Sequence, residues 1–409
     1  MRALQRGPNH TRALALRAAL LLIAACSKDK NVDEPAKLTP LPHPSVKVTH
    51  IWGYNLHDKK ATVLRLDQGI SIADDRVYAA SHKAGEVVAL NLTNGRLLWR
   101  AKTRAPLSGG TASSPELVVV GASDGQLFAF DAANGHGRWN IRLNGEVLAP
   151  AAISPKLIAV RTVDGKLHAL RPEDGHELWV TEQQVPRLSL RGTARPEVAG
   201  DLAICGFDNG KLVAANLMDG TSAWETTITP PHGRTELERL IDIDATTRVS
   251  GNDVYVVGFQ GKIAMLALDT GQIWWSHEAS SYRGLDIDDD YVYVSSADGD
   301  VVALRRKTGV EAWRQSALAH RGLSAPAVTT NYLVVADFQG YVHWLDKSSG
   351  AIIGRARADK VRFTNPPVAV DDKVVVINDH GQITAFRVTP QAGASAAAAP
   401  ADNSKPRSD

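Results

Sequence analysis

The chain has 409 residues, 44% hydrophobic and 22% charged, which excludes a disordered or collagen-like polymer and leaves room for one large or two ordinary domains. A formal net charge of +2 marks neither a polyanion binder nor an acidic solvating tail, so nucleic acid is not an expected partner.

The first 25 residues hold Arg2, Arg6, Arg12 and Arg17, no acid, and then an apolar run from Ala18 to Ala25. This reads as a signal peptide over 1–25, and without its four arginines the balance falls from +2 to −2. The run is far shorter than the roughly 20 residues of a membrane-spanning helix. It leads into Ile23-Ala24-Ala25-Cys26, which resembles a bacterial lipobox: small residues admit signal peptidase II to the bond before Cys26. The Cys26 sulfur then takes a diacylglycerol and its amine a third acyl chain such as palmitate. Several buried acyl chains make a stable anchor. Ser27 stands where an inner-membrane retention signal usually has Asp, which implies the outer membrane, facing the periplasm. The other cysteine, Cys205, lies in Leu202-Ala203-Ile204-Cys205 and reads as a buried inert thiol with no disulfide partner.

Residues 26–45, rich in Lys, Asp and Pro, read as a lipidated flexible tether, and 389–409 as a disordered low-complexity tail. Between them, over 46–388, one pattern recurs. The glycines of a first turn are Gly85, Gly125, Gly165, Gly210, Gly261, Gly299, Gly340 and Gly381, spaced 40, 40, 45, 51, 38, 41 and 41. That is a propeller period. In seven units a second glycine follows ten residues later, from Gly95 to Gly350, and four residues beyond it stands Trp99, Trp139, Trp179, Trp224, Trp275 or Trp313; Gly354 is the exception.

Each unit of roughly 40 residues holds four strands at the usual spacing of about 8–12. Asp-Gly and Asn-Gly supply the positive φ angles of tight hairpin turns. One four-stranded sheet cannot bury both faces, so the units pack face to face around an axis. The tryptophans are expected to wedge against the neighbouring sheet, as architecture and not chemistry. The eighth unit, begun at Gly381, has no second glycine and no Trp, whereas Trp52 stands without a unit in Val46-Lys47-Val48-Thr49-His50-Ile51-Trp52. The N-terminal strand should therefore complete the last blade, giving an all-β, eight-bladed propeller with four-stranded antiparallel blades.

The phrase Asp-Gly-x-Leu-x-Ala-Leu, a glycine turn and Trp is similar to repeats of the quinoprotein-like eight-bladed propellers; no Trp is followed by Asp, so WD40 repeats fit less well. Joined to a lipobox, the pattern resembles the BamB family of lipoproteins in the outer-membrane β-barrel assembly (BAM) complex. The resemblance implies a non-enzymatic scaffold that binds the periplasmic domains of the barrel subunit BamA and assists insertion of outer-membrane proteins. Two long connections carry it further. From Trp to the next first-turn glycine the distances are 26, 26, 31, 37, 24 and 27 residues, and the two largest are consecutive. Both should leave one rim of the ring. By resemblance Leu188, Leu190, Arg191, Asp242 and Asp244 are partner contacts. In an extended segment Leu188 and Leu190 point the same way, and Asp242 and Asp244 alternate with Ile241 and Ile243, so one face can anchor inward while carboxylates face a partner. A further reading has blade edges holding unfolded outer-membrane protein clients by β-augmentation.

The alternative on the same fold is a quinone-dependent periplasmic dehydrogenase. Against it stand the modest length, the lone Cys205 where many such enzymes carry adjacent cysteines, and the lack of an insertion dense enough for a lid. Asp286-Ile287-Asp288-Asp289-Asp290 imitates a Ca²⁺ loop, but Tyr291 fills the glycine position, so an inter-strand turn is expected. The 13 histidines show no metal-ligand spacing, and no nucleophile elbow, P-loop or dinucleotide fingerprint is present. No catalytic residue, metal or cofactor is expected.

Overall fold

A computed structural model describes residues 34–391 apart from 43, 57–68, 83, 187–193, 231–242 and 244. Residues 36–409 make one compact unit; of the other, 1–35, only Glu34 and Pro35 are described. Cys26 and all five expected partner contacts lie outside the described residues.

Among the described residues there are 32 strands and no helix, in eight four-stranded sheets. Blades 1 to 7 occupy 71–102, 112–142, 152–182, 197–227, 248–279, 285–315 and 327–357, each a meander of consecutive strands. Blade 8 joins 368–390 to the strand Val46–Asn55. That strand pairs antiparallel with Gln382–Pro390, from Val46 opposite Pro390 to Asn55 opposite Gln382, so the two ends of the domain close the ring as expected. Blade 8 then packs on blade 1, Val375, Ile377 and Ile383 meeting Ile70, Val77 and Val88.

The burial pattern follows from this stacking. Second strands such as Leu117–Gly121 are buried along their whole length because a neighbouring sheet covers each face. Outer strands such as Leu97–Lys102 keep every residue but Trp99 and Ala101 exposed. The core therefore sits in the seams: Tyr78, Val87 and Trp99 of blade 1 pack against Val118, Phe128 and Phe130 of blade 2, and the seams 3/4, 4/5 and 6/7 repeat this.

The turns are longer than the tight hairpins expected. At the first turn of blade 2 the Gly125 amide donates to Ala122 O and the Ala122 amide to Gln126 O, enclosing three residues with Gly125 alone at positive φ (83°). This is a type I turn closed by a left-handed glycine. At the second turn the Gly135 amide donates back to Asp131 O, and the Asp131 carboxylate accepts from the Ala133 and Asn134 amides. Asp124 and Asn134 keep negative φ, so the acidic or amide residue caps the turn and only the glycine reverses it. Gly261 departs from the series: Gln260 takes the positive φ (48°), and a Cβ on Gly261 would lie 2.5 Å from Thr229 Oγ1. Its side chain is missing because the connection from blade 4 presses on it.

The tryptophans wedge the seams as expected, and their partners are specific. Trp52, Trp99, Trp139, Trp179, Trp224, Trp275 and Trp313 each donate Nε1–H to a carbonyl of the next blade: Leu92, Ala132, Pro172, Leu217, Leu268, Arg306 and Lys347, at 2.8–3.0 Å. Each indole also lies on the second-turn glycine of that blade. A Cβ on Gly220 would stand 2.6 Å from the Trp179 ring. The register shifts just before each of these tryptophans, as between Ala169 and Leu170 opposite Trp179. The bulge turns the indole into the seam.

The segment 36–45, expected as the end of the tether, follows blades 6 and 7. The Ala36 amide donates to Ala319 O and the Ser45 amide to Ile353 O; Arg321 Nη1 donates to Ala36 O and Arg355 Nη1 to Thr39 O. The last strand reaches Pro390, two residues into the expected tail, and the Gln391 amide donates to Ser45 O.

Candidate functional site

The two long connections leave the outer strands Glu177–Glu182 and Ser222–Thr227 and enter the inner strands Glu197–Ala199 and Arg248–Ser250. Each joins an outer strand to the next inner one, so both start from the end of the ring that carries the first-turn glycines. Their described ends are firmly seated. The Gln183 amide donates to Gly165 O, and its side chain donates to Glu225, which also pairs with Lys211. Those two partners hold the Glu225 carboxyl below its usual range. Ala194 returns as a buried residue against Cys205 and Phe207. From blade 4, the amides of Ile228 and Thr229 both donate to Gly210 O, and Ile228 is buried.

Ile243 shows how the second connection is anchored. It is 1% exposed, packs with Ile204, Leu212 and Val256, and fills the place of a side chain on Gly206, where a Cβ would lie 2.4 Å from its Cγ2. The alternation read from the sequence thus puts the branched residue inward. Its neighbours Asp242 and Asp244 lie outside the described residues, as do Leu188, Leu190 and Arg191.

Beneath the connections runs a buried ion pair that no sequence pattern announced. Arg161 of blade 3, 1% exposed, reaches Asp208 of blade 4 at 3.1 Å and lies over the Phe207 ring at 4.4 Å. It also donates to its neighbour's carbonyl, Thr162 O. Two charges removed from water need this density of partners. The pair joins blades 3 and 4 at the end of the ring from which both connections leave. An Arg inside the apolar run Leu157-Ile158-Ala159-Val160-Arg161 was the one available signal.

The axis is the place where the dehydrogenase alternative would hold its quinone. A cavity of 350 Å³ there is lined by apolar residues such as Ile70, Ile72, Pro150, Pro366 and Val368 together with the hydroxyl residues Ser71, Thr111, Ser113 and Thr246. Its charged groups are Arg195 and the pair Arg248–Asp286, 2.9 Å apart. Glu197 stands behind them, its carboxyl pushed up by burial against the pull of Arg195 and Arg248. Cys205 is fully buried in blade 4, among Ala194, Phe207 and Val213, and does not line this cavity. Of the Asp286–Asp290 stretch only 288–290 make the expected turn, Asp286 and Ile287 belonging to the strand Leu285–Ile287: Asp286 pairs with Arg248, and Asp288 accepts from the amides of Asp290 and Tyr291 and from Tyr293 Oη and Lys347. Among the described residues no three His, Cys, Asp or Glu side chains are grouped to hold a metal.

The chain matches the family model described as outer membrane protein assembly factor BamB over residues 83–315 and 297–390. It is 42% identical over 379 residues to the outer membrane protein assembly factor BamB of Pseudomonas aeruginosa, covering 93% of this chain and 98% of that protein. The factor of the same name in Kangiella koreensis is 37% identical over 376 residues, 91% of this chain and 95% of its own. Among solved structures, BamB from Moraxella catarrhalis aligns with a TM-score of 0.76 at 29% identity, over 83% of this chain and 100% of that one. A quinohemoprotein alcohol dehydrogenase from Comamonas testosteroni aligns with a TM-score of 0.67 at 13% identity, over 88% of this chain and 78% of its own, a likeness of fold alone. On the family model and these near full-length relatives, the chain belongs to the outer membrane protein assembly factor BamB family.

Proposed function

We propose that this chain is a non-enzymatic accessory subunit of the outer-membrane β-barrel assembly machinery. The observation that carries the reading is 42% identity to an outer membrane protein assembly factor over 93% of the chain. On this reading residues 1–25 are a signal peptide, Cys26 is acylated, and the ring is held at the outer membrane on the periplasmic side. The connections out of blades 3 and 4 grip the periplasmic domains of BamA through Leu188, Leu190, Arg191, Asp242 and Asp244. Leucines ringed by charge suit the centre of such an interface, with Arg as its polar anchor. The rigid base supports this: Ile243 is buried between the two aspartates, and Arg161–Asp208 ties the two blades below. A scaffold needs loops whose roots do not move.

The test is co-purification from detergent-solubilised envelope. Wild-type protein should bring down BamA in stoichiometric amount. Leu190→Asp and Asp244→Arg should each cost about 2 kcal/mol of affinity, roughly 30-fold, with an unchanged melting temperature. A folded double variant that still captures BamA at the wild-type level would refute the patch.

A further inference from the structure

We propose that Ala36–Ser45 is a fixed strap on blade 7, so that the tether to the membrane is only the ten residues from Cys26 to Ala36. The leash rests on the lipid-anchor reading; the strap does not.

The strap is held by a buried charge cluster whose donors outnumber its own acceptors. Arg321 is 2% exposed and pairs with Asp337, itself fully buried, through Nε at 2.8 Å and Nη2 at 2.7 Å; Nη2 also donates to Gln339 Oε1 at 2.7 Å. His343, also fully buried, bonds Asp337 through Nε2 at 3.1 Å and accepts from Arg355 Nε through Nδ1 at 3.1 Å. Arg321 and a neutral imidazole thus share one carboxylate, and Arg355 joins the cluster through that imidazole. The surplus N–H groups end on the strap: Arg321 Nη1 on Ala36 O and Arg355 Nη1 on Thr39 O, both at 2.9 Å. Detaching the strap would leave a buried guanidinium short of an acceptor, which is the expensive way to lose a hydrogen bond. Leu38 adds an apolar contact against the cluster of Trp313, Leu318 and Leu323. Pro40, Pro42 and Pro44 donate nothing and keep the strand extended, so a few side-chain bonds do what a ladder does elsewhere.

The consequence is a distance. Ten residues span at most about 35 Å fully extended, whereas a leash running to Val46 would span about 70 Å. Ala36 is bonded to Ala319 in the connection between blades 6 and 7, on the end of the ring from which the two long connections also leave. That rim is therefore confined near the lipid surface.

Two measurements test this with separate outcomes. Trypsin cleavage after Lys37, inside the strap, should be at least tenfold slower in the native protein than in a peptide of residues 30–45, and Arg355→Gln should speed it several-fold. Equal rates in protein and peptide would overturn the strap. For the leash, the acylated full-length protein is bound to phosphatidylethanolamine vesicles carrying an acceptor dye on the headgroup, with a donor on Ala317→Cys. Energy transfer should be strong and should fall at least twofold when twenty Gly/Ser residues are inserted between Pro35 and Ala36. Unchanged transfer in protein that still floats with the vesicles would overturn the leash. Failure of the wild type to float would overturn the anchor, and the leash with it, while the trypsin result still decides the strap.

Discussion

Seven seams of the ring and the eighth solve one packing problem in two ways. From seam 8/1 round to seam 6/7, a tryptophan on the outer strand lies over the next blade's glycine turn and donates to its carbonyl. The residue paired with it on the third strand is small in six blades, such as Ala89 opposite Trp99 and Ala385 opposite Trp52, and Met265 in blade 5. In blade 7 the sizes are exchanged: Trp344 on the third strand faces Gly354 on the outer one. Trp344 meets Phe386 of blade 8 edge-on at 5.7 Å and 80°, but its buried Nε1 has no hydrogen-bond partner among the described residues. Val46 and Val48, from the strand that closes the ring, fill the place over Gly354. The indole is conserved in volume and moved by one strand, because here the neighbouring outer strand comes from the other end of the chain and serves as the plug. Close packing constrains the sum of the pair, not either member.

The largest effect is expected from removing the plug. A chain beginning at Gly53 loses Val46, Val48 and Trp52, exposing seam 7/8 and unwedging seam 8/1, and should melt at least ~10 °C lower or without cooperativity. Calorimetry showing the wild-type transition would break the closure model. Next, Trp179→Ala should cost ~3–5 kcal/mol in denaturant unfolding, for lost packing and an unmet Leu217 carbonyl. Substitution by Phe separates the two kinds of seam. Trp179→Phe forfeits a satisfied hydrogen bond, about 1 kcal/mol beyond the change in volume, whereas Trp344→Phe removes a donor with no partner among the described residues and should cost less. Equal losses would show that the Trp344 donor is satisfied after all. Gly220→Ala, pressed by the Trp179 ring, should likewise cost more than Gly200→Ala, which shares a positive φ but meets nothing within 4 Å.

The smallest expected effect is on pH. Burial, with Arg355 and Arg321 nearby, holds the His343 imidazole below its ordinary value against the pull of Asp337. Burial alone would raise the Asp337 carboxyl, but His343, the Tyr341 amide and Arg321 outweigh it and keep it low. Below about pH 6.5 the unfolded chain protonates this histidine and the folded one does not, so stability falls as pH falls. The Asp337 contribution is lost lower still, below about pH 4. A His343→Gln variant should flatten the pH dependence of the unfolding midpoint between 7 and 5; an unaltered slope would remove the histidine from the account.

The repeat was legible because its signals are local: a glycine where φ must be positive, a tryptophan four residues on, and Trp52 as the wedge of an otherwise incomplete blade. What the sequence hid is what acts across blades. Gly220 looked like a turn residue, yet it is also the floor for an indole 41 residues earlier. Gly354 showed as an exception, while its compensation, Trp344, had no periodic place from which to be noticed. The strap read as tether because prolines and charges carry no strand pattern; its clamps, Arg321 and Arg355, lie 285 and 316 residues from the carbonyls they hold. At the candidate site, the inward Ile243 followed from alternation alone, whereas the Arg161–Asp208 pair at its base depends on two blades meeting.

The claim on which the functional account turns is that the connections out of blades 3 and 4, and not the blade edges, hold the partner. Photocrosslinkers placed one at a time at positions 190 and 242, and at Leu178 on the exposed outer strand of blade 3, test it in intact cells. The account predicts one dominant adduct with BamA from 190 and 242 and none from 178. Capture of BamA from 178 with nothing from the two connections would contradict it.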